Sequence, residues 1–533
     1  MVTKLSSKSL ERAIDHICMF GDTDVFPHLP EIAFLNDRKA EIVKELSALD
    51  LDNFEPAQAI ETLAPKSRFG FRIVHQLQIL DTVLFTAATI EIASDLEKLK
   101  ADESGQGPFA YRFDESGGAS LFRKERSFRD WLKWQSDLQT KHKFKSIIFT
   151  DIADFYQRIY LHRIENCLDS ATSKKGVKKF IEKTIKAIRS KQSYGIPIGG
   201  SASRIIAEAV LADSDAALLG EGIQFTRYVD DFRMFLVEGQ DTYQAISFLA
   251  EQLFLGEGLS LNGQKTRVMS GEAFKAYLAE ELPEKLDKAE EKAFEALSQI
   301  IYFDEEPDQD AVESLKSLNL VEMLEEAFAK DPWDFGEIKA IFRALRIVKS
   351  DDVAEFIFEN FQDLLPFAKE LLLYFDTVKP TIKSEVDALQ KCVLDALGGQ
   401  SVKSVPSIHA WLLEFFVRSI LKVDGKTIDE MKISSPLSDR QLALIKGLNG
   451  DVNYFRKHKT KFDSLGEFTK SSFVLGATCL PKDEFSSWVE AVRPRLRRPL
   501  DDLYCKWAKT KSGKLKETLA SLQKPAPDAA APS

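Results

Sequence analysis

The chain has 533 residues, too many for one ordinary hydrophobic core, so two or three domains are expected. Hydrophobic residues make up 44% and charged residues 29%, the composition of a soluble globular protein. The net charge of −11 argues against a protein that coats nucleic acid non-specifically, while leaving room for a local basic channel. Cys18, Cys167, Cys392, Cys479 and Cys505 are scattered and show no metal-ligand spacing, so they are expected as reduced thiols of a cytoplasmic protein. No signal-peptide core stands near Met1, and no apolar run reaches the length of a membrane span.

Leu10, Ile14, Ile17 and Cys18 recur at helical spacing over residues 5–20. Gly21 to Pro27 is a turn in which Asp22 and Asp24 read as turn or capping carboxylates before they read as a metal pair. Helical patterning resumes over residues 38–49. Lys66, Arg68 and Arg72 form a basic loop ahead of an apolar helical stretch from Ile79 to Leu99, with Asp81 near its start. Such cations either meet nucleotide phosphates or face solvent. Residues 101–107 are a polar loop, and Trp131 and Trp134, three apart on a helix, are expected in a core.

Ile147, Ile148 and Phe149 read as a short buried strand with Asp151 at its C-terminal end, a position for a functional carboxylate or a helix cap. Lys175, Lys179, Lys183 and Lys186 repeat every three or four residues and share one helix face. That face suits a phosphate backbone, and equally plain solvation. From Ser193 to Gly200 the glycines and Pro197 make a tight loop, with Ser201 or Ser203 capping the next helix; Gly199 and Gly200 let a ligand approach the backbone.

The most informative stretch is Arg227-Tyr228-Val229-Asp230-Asp231-Phe232, with strand-like runs Ile223–Thr226 and Arg233–Val237 on either side. A β-hairpin with Asp230 and Asp231 at its tip holds two carboxylates that repel and raise each other's pKa. A divalent cation removes that cost, and oxygen ligands suit magnesium or manganese. Beyond it, Lys265 in Leu259–Thr266 reads from its surroundings as an exposed turn lysine. From about residue 276 strand signals nearly vanish. Amphipathic runs follow at Glu291–Ile301, Phe335–Val348, Val353–Phe361, Phe367–Leu373, Ile408–Leu421 and Phe485–Val492, which suggest stacked helical hairpins without a strict period. Residues 493–516 mix Arg and Lys with Tyr504 and Trp507, suiting either single-stranded nucleic acid or a solvated terminal helix.

Tyr228-Val229-Asp230-Asp231 between two strands resembles the catalytic hairpin of reverse transcriptases, and Asp151 with Phe155-Tyr156 resembles their first palm motif. The resemblance implies an α+β chain: an N-terminal helical extension over 1–60, fingers and palm over 61–275, an all-α, HEAT-like repeat domain over 276–516 and a disordered tail over 517–533. It implies that Asp151, the Ile152 carbonyl and Asp230 hold two Mg2+ or Mn2+ ions, with Asp231 in support and Lys265 donating a proton to pyrophosphate. Arg72 then contacts the triphosphate, Tyr156 sits beneath the sugar, Pro197 and Gly199 border the nucleotide, and Lys175, Lys179 and Lys183 follow nucleic acid. Pro197-Ile198-Gly199 departs from the usual Pro-Gln-Gly. With the helical C-terminal half, this resembles the bacterial abortive-infection reverse transcriptases of the AbiK and prophage Abi kind. That branch implies phage defence by untemplated, protein-primed synthesis from dNTPs, with DNA attached to a homo-oligomer in the cytoplasm. No tyrosine precedes Tyr111, so a priming residue is not assigned. A conventional RNA-templated enzyme and a non-catalytic scaffold are the competing expectations.

Overall fold

The computed structural model describes residues 2–100, 107–189, 192–282, 312–313, 315–379 and 385–523. The principal elements, in chain order, are α1 (Ser7–Phe20), β1 (Ile60–Pro65), β2 (Phe71–Gln76), α2 (Ile79–Glu97), β3 (Gly107–Pro108), α3 (Phe128–His142), β4 (Ser146–Asp151), α4 (Lys175–Ile188), α5 (Ser201–Val210) and α6 (Ala212–Gly220). There follow β5 (Gln224–Tyr228), β6 (Asp231–Leu236), α7 (Thr242–Glu251), β7 (Arg267–Ser270), α8 (Gly271–Glu281), α9 (Phe335–Val348), α10 (Ala368–Val378), α11 (Pro406–Val417), α12 (Pro436–Leu448), α13 (Glu467–Gly476) and α14 (Asp501–Thr510). The chain divides into two units: residues 1–16, 47–59 and 81–303 make the first, and residues 17–46, 60–80 and 304–533 the second. Residues 1–60 are thus shared between the units, and the segment 60–80 clusters with the helical C-terminal half.

The first unit is built on a five-stranded sheet of order β3-β5-β6-β4-β7. β4 and β6 run antiparallel, with Ile147 opposite Phe235, Phe149 opposite Arg233 and Asp151 opposite Asp231. Residues directly opposite share a face, so this register sends Ile147, Phe149 and Phe235 to one side. There they join Leu132 of α3 and Phe274 and Leu278 of α8 in one buried cluster. Trp131 lies in the same layer, fully buried, and its indole N–H donates to Thr226 Oγ1 at 3.0 Å. On the other side Phe225 and Phe232 stack with centroids 5.9 Å apart, α6 packs against β5, and α7 packs against β4. Helices on both faces leave the strand ends as the place where polar side chains meet solvent.

The second unit contains the antiparallel hairpin β1–β2, in which Arg72 stands opposite Ala64. The basic loop expected around Arg72 is therefore only its tip: Lys66 N and Ser67 N both donate to Gly70 O, and Arg72 lies on a strand. Ile60, Ile73 and Val74 supply the β-branched residues that outweigh the local charge. Beyond residue 270 the described residues contain helices and no strand. The Phe335–Val348 helix falls where its periodicity predicts, whereas Glu291–Ile301 lies outside the described residues. A HEAT-like repeat is not established by these helices. The expected tail from 517 is helical to Ala520 and turns on to Gln523, and residues 524–533 lie outside the described residues.

Local chemistry explains several of the polar residues in this unit. Asp22 accepts from Leu29 N at 3.3 Å and from Gln76 Nε2 at 2.9 Å, so it is a turn carboxylate. Tyr504 and Trp507 are buried against Phe34 instead of being open for stacking, and Trp507 Nε1 donates to Asp37 Oδ2 at 2.8 Å. Arg493, Arg495, Lys506 and Lys511 pair with carboxylates of the same unit. The five cysteines are free thiols, and among the described residues no helix is long and apolar enough to cross a membrane.

α12 and α13 cross at two glycines, where a Cβ on Gly447 would lie 2.6 Å from Gly476 Cα. Gly447→Ala must push the helices apart, and a loss of about 1–3 kcal/mol is expected from overpacking. Gly220→Ala, where a Cβ meets nothing within 4 Å, serves as the neutral control in the same urea unfolding measurement.

Candidate active site

Asp151 ends β4 and Asp231 begins β6, directly across the ladder. Asp230 precedes Asp231 in the β5–β6 turn, and its carbonyl accepts from Ile152 N at 3.2 Å. The turn is held in an unfavourable shape. Val229 is β-branched, buried and at φ +58°, a conformation such residues rarely adopt without support. The support is Arg227, which is fully buried. Its Nη1 donates to Val229 O at 2.9 Å and to Glu208 Oε2 at 2.7 Å. Its Nε and Nη2 reach Asp215 Oδ1 and Oδ2 at 2.9 and 2.8 Å. Burial opposes charge on Arg227, but the fields of Asp215 and Glu208 outweigh it and raise its pKa further. Glu208 and Asp215 belong to α5 and α6, so one guanidinium ties two helices to the turn that carries Asp230.

Burial, then the charges of Asp151 and Asp231, push the Asp230 carboxyl well above the usual range. Asp231 is raised by burial and by Asp151, against the pull of Arg233, whose Nη1 lies 3.9 Å away. The cation on Asp151 is Lys265, with Nζ 2.8 Å from Oδ2. A short loop delivers it: Asn262 N donates to Asp151 O at 2.7 Å, Lys265 N and Thr266 N both donate to Asn262 O, and Thr266 Oγ1 meets Thr150 Oγ1 at 2.7 Å. Burial lowers the pKa of Lys265, but the hydrogen bond and charge of Asp151, with Asp231 and Asp230 behind, raise it overall. Lys265 is thus an ammonium at neutral pH.

Among the described residues, no group of three His, Cys, Asp or Glu side chains stands in ready metal-binding geometry. The donor set nevertheless fits a hard cation. It consists of carboxylate oxygens and a backbone carbonyl, it is crowded with like charge, and its one close ammonium is on a side chain 59% exposed and free to swing away. Asp151, the Ile152 carbonyl and Asp230 are the groups that would hold magnesium or manganese, with Asp231 adjoining.

The other expected site residues fall in several places. Tyr156 follows closely in sequence, and Asp230 lies near enough to help burial raise its hydroxyl pKa. Ile196 N donates to Tyr156 O at 2.9 Å, which pins the buried Pro197 beside that tyrosine. Gly199 adopts φ +105°, which glycine alone takes readily. Arg72 belongs to the second unit, where its Nε is buried without a partner. On α4, Lys175 and Lys179 are exposed, but Lys183 is committed to Phe54 O and Glu55 Oε1 at 2.7 and 2.6 Å. The cationic face is therefore shorter than its spacing suggests. Sequence reasoning missed the Glu208–Arg227–Asp215 cluster. Its signal was a lone carboxylate inside the apolar run Ile205-Ile206-Ala207-Glu208-Ala209-Val210.

Residues 114–305 match the family model described as Reverse transcriptase (RNA-dependent DNA polymerase), so the first unit carries a reverse transcriptase-like domain. No curated protein sequence matches the chain. Two solved structures are similar to it at 13% identity each. One is apo telomerase from Candida tropicalis, at a TM-score of 0.33 over 71% of this chain and 74% of that one. The other is telomerase from Candida albicans in complex with the TWJ fragment of telomeric RNA, at 0.32 over 72% and 68%.

Arg227→Ala leaves Glu208 and Asp215 buried without their cation, and a loss of about 3–5 kcal/mol is expected in chemical denaturation. Asp230→Asn acts in the opposite direction. The raised pKa of Asp230 means that metal-free stability falls as pH climbs from the unfolded carboxylate value through the folded one. Removing its charge should therefore raise Tm in EDTA at neutral pH, with the gain shrinking as pH is lowered.

Proposed function

We propose that the chain is a nucleotidyltransferase that adds dNTPs to a hydroxyl primer, with Asp151, Asp230 and Asp231 as the carboxylate centre. The observation that carries this reading is the meeting of those three acids within a domain matched by the reverse transcriptase family model. A bound divalent cation would neutralise the carboxylates and polarise the phosphate oxygens. The chain's own residues supply the rest. Asp151 and Asp230 orient the reacting groups on rigid strand ends. Lys265, kept protonated by Asp151, leaves that carboxylate and donates its proton to the departing pyrophosphate. The Tyr156 ring lies beneath the sugar and excludes a 2′-hydroxyl, while Pro197 and Gly199 border the base pair. Lys175 and Lys179 meet phosphates in this reading.

The finer assignment is phage defence of the abortive-infection type, by untemplated and protein-primed synthesis in a cytoplasmic homo-oligomer. Its support is the Pro197-Ile198-Gly199 loop and the helical second unit. RNA-templated synthesis is the second reading, favoured by the printed description of the matched family.

Incubation with labelled dNTPs and magnesium, with and without an RNA template and primer, tests these readings together. Untemplated product that stays on the protein through denaturation supports the first, and template-faithful product the second. Asp230→Ala with Asp231→Ala should reduce incorporation on the order of 10³-fold. Undiminished synthesis by that variant refutes this carboxylate centre, and no incorporation by the wild type leaves a scaffold. Magnesium should also raise the Tm of the wild type but not of Asp230→Asn, because only the native carboxylate set binds it.

A further inference from the structure

Lys265 reaches Asp151 on a loop whose upstream end is set by an unusual turn. α7 runs on past Glu251 into a π-helical turn, Gln252–Glu257, closed by an i→i+5 bond from Gly258 N to Leu253 O. Such turns are rare, and each takes in one residue more than an α-turn, so the register of all that follows depends on it. Gly258 then redirects the chain at φ +70°, where a Cβ would run into the Tyr160 ring.

The residues after Gly258 lie along the carboxylate centre. Ser260 O accepts from Ala153 N at 2.9 Å, Leu261 bridges to Ile152, and Asn262 N donates to Asp151 O at 2.7 Å. Asn262 O in turn accepts from Lys265 N at 3.1 Å. A short, backbone-bonded segment thus joins the π-turn to the lysine.

An ion pair holds the π-turn. Glu257 ends it, with a side chain 1% exposed. Arg163, on the helix Leu161–Ala171, meets both of its oxygens: Nε donates to Oε2 at 2.8 Å and Nη2 to Oε1 at 2.9 Å. Two-pronged pairing fixes direction as well as distance. Burial raises the pKa of the Glu257 carboxyl against the pull of Arg163, so its charge is tolerable there only with the guanidinium in place. Arg163 Nη2 also donates to Asp213 Oδ2 at 3.2 Å, on α6. α6 carries Asp215 as well, the partner of Arg227. One helix therefore anchors two arginines, Arg227 for the turn with Asp230 and Arg163 for the loop with Lys265.

We propose that Arg163, acting through Glu257 and the π-turn, is a positioning residue for Lys265. It sets where the ammonium stands against Asp151 and, in the reaction proposed above, against the departing pyrophosphate; for that second role the inference rests on the nucleotidyltransferase reading. An ion pair that only stapled helices together would support every side chain of the site alike.

A double-mutant cycle on dNTP incorporation separates these roles. Arg163→Lys keeps the charge and loses the two-pronged contact. With Lys265 present it should lower kcat by about tenfold and change KM by less than about twofold, because small displacements are costly at a reacting centre. In a Lys265→Met background the same substitution should cost less than about twofold, since the residue it positions is gone. Arg163→Met with Glu257→Met removes the pair without stranding a buried charge, and should show the same dependence on Lys265 should Arg163→Lys fold poorly. Equal losses in both backgrounds, or no loss in either, overturn the proposal. Competitive acetylation of lysines in EDTA, read by mass spectrometry, needs no activity. A Lys265 that has left Asp151 loses the field that keeps it protonated, so its labelling should rise by about threefold in Arg163→Lys. Unchanged labelling also overturns the proposal. Raised labelling in a chain whose wild type incorporates nothing supports the positioning and defeats the nucleotidyltransferase reading instead.

Discussion

The fold gathers like charges and must hold them there. Asp151 and Asp231 are directly opposed on neighbouring strands, and Asp230 adjoins them. Two carboxylates about 5 Å apart repel by about 3 kcal/mol at an effective dielectric constant of about 20. The ion pair from Lys265 returns about 1 kcal/mol or less, because its ammonium is largely exposed. Arg233 Nη1, 3.9 Å from Asp231, offsets part of the remainder, and the carboxyl pKa values of Asp230 and Asp231 stay raised. A sheet end that tolerates this deficit, when solvent-facing polar residues would have cost nothing, is most simply explained by chemistry.

The deficit is sustained by interactions elsewhere in the first unit. Arg227 secures the strained turn at Val229 and draws α5 and α6 onto the sheet. α1 contributes as well: His16 bonds Ser201 Oγ at 2.8 Å and Ala119 O at 2.9 Å, and burial lowers its pKa to about 4, so the ring is neutral. Ser201 opens α5, the helix that carries Glu208, so the first helix of the chain helps to fix the support of the turn that carries Asp230. The strands themselves are held more simply, by the apolar layer of Ile147, Phe149, Phe235 and Phe274.

What could be read in advance was local. The strands around Asp230 and Asp231 show as runs of aromatic and β-branched residues, and Asp151 follows a short apolar run, so their placement at strand ends needed no knowledge of tertiary structure. The turn lies one residue earlier than its charges suggest, because Val229 takes the positive φ and Asp231 already pairs with Tyr228. The β1–β2 hairpin was obscured by Lys66 and Arg68, which sit at its tip and make it look like a solvated loop. Lys183 appeared to be one of a free row, but its partner Glu55 is 128 residues distant. The contact between His16 and Ser201 spans 185 residues. Helical periodicity identifies such residues without their partners, which is why the supports of the site were harder to read than its carboxylates.

The central claim is that Asp151 and Asp230 share a divalent cation for which Lys265 stands in. Anomalous diffraction from crystals grown with Mn2+ and a dNTP tests it most directly. The account predicts a manganese peak between the two carboxylates, with Lys265 withdrawn from Asp151 toward the phosphates. A map with no peak there, and with Lys265 still 2.8 Å from Asp151, would contradict it.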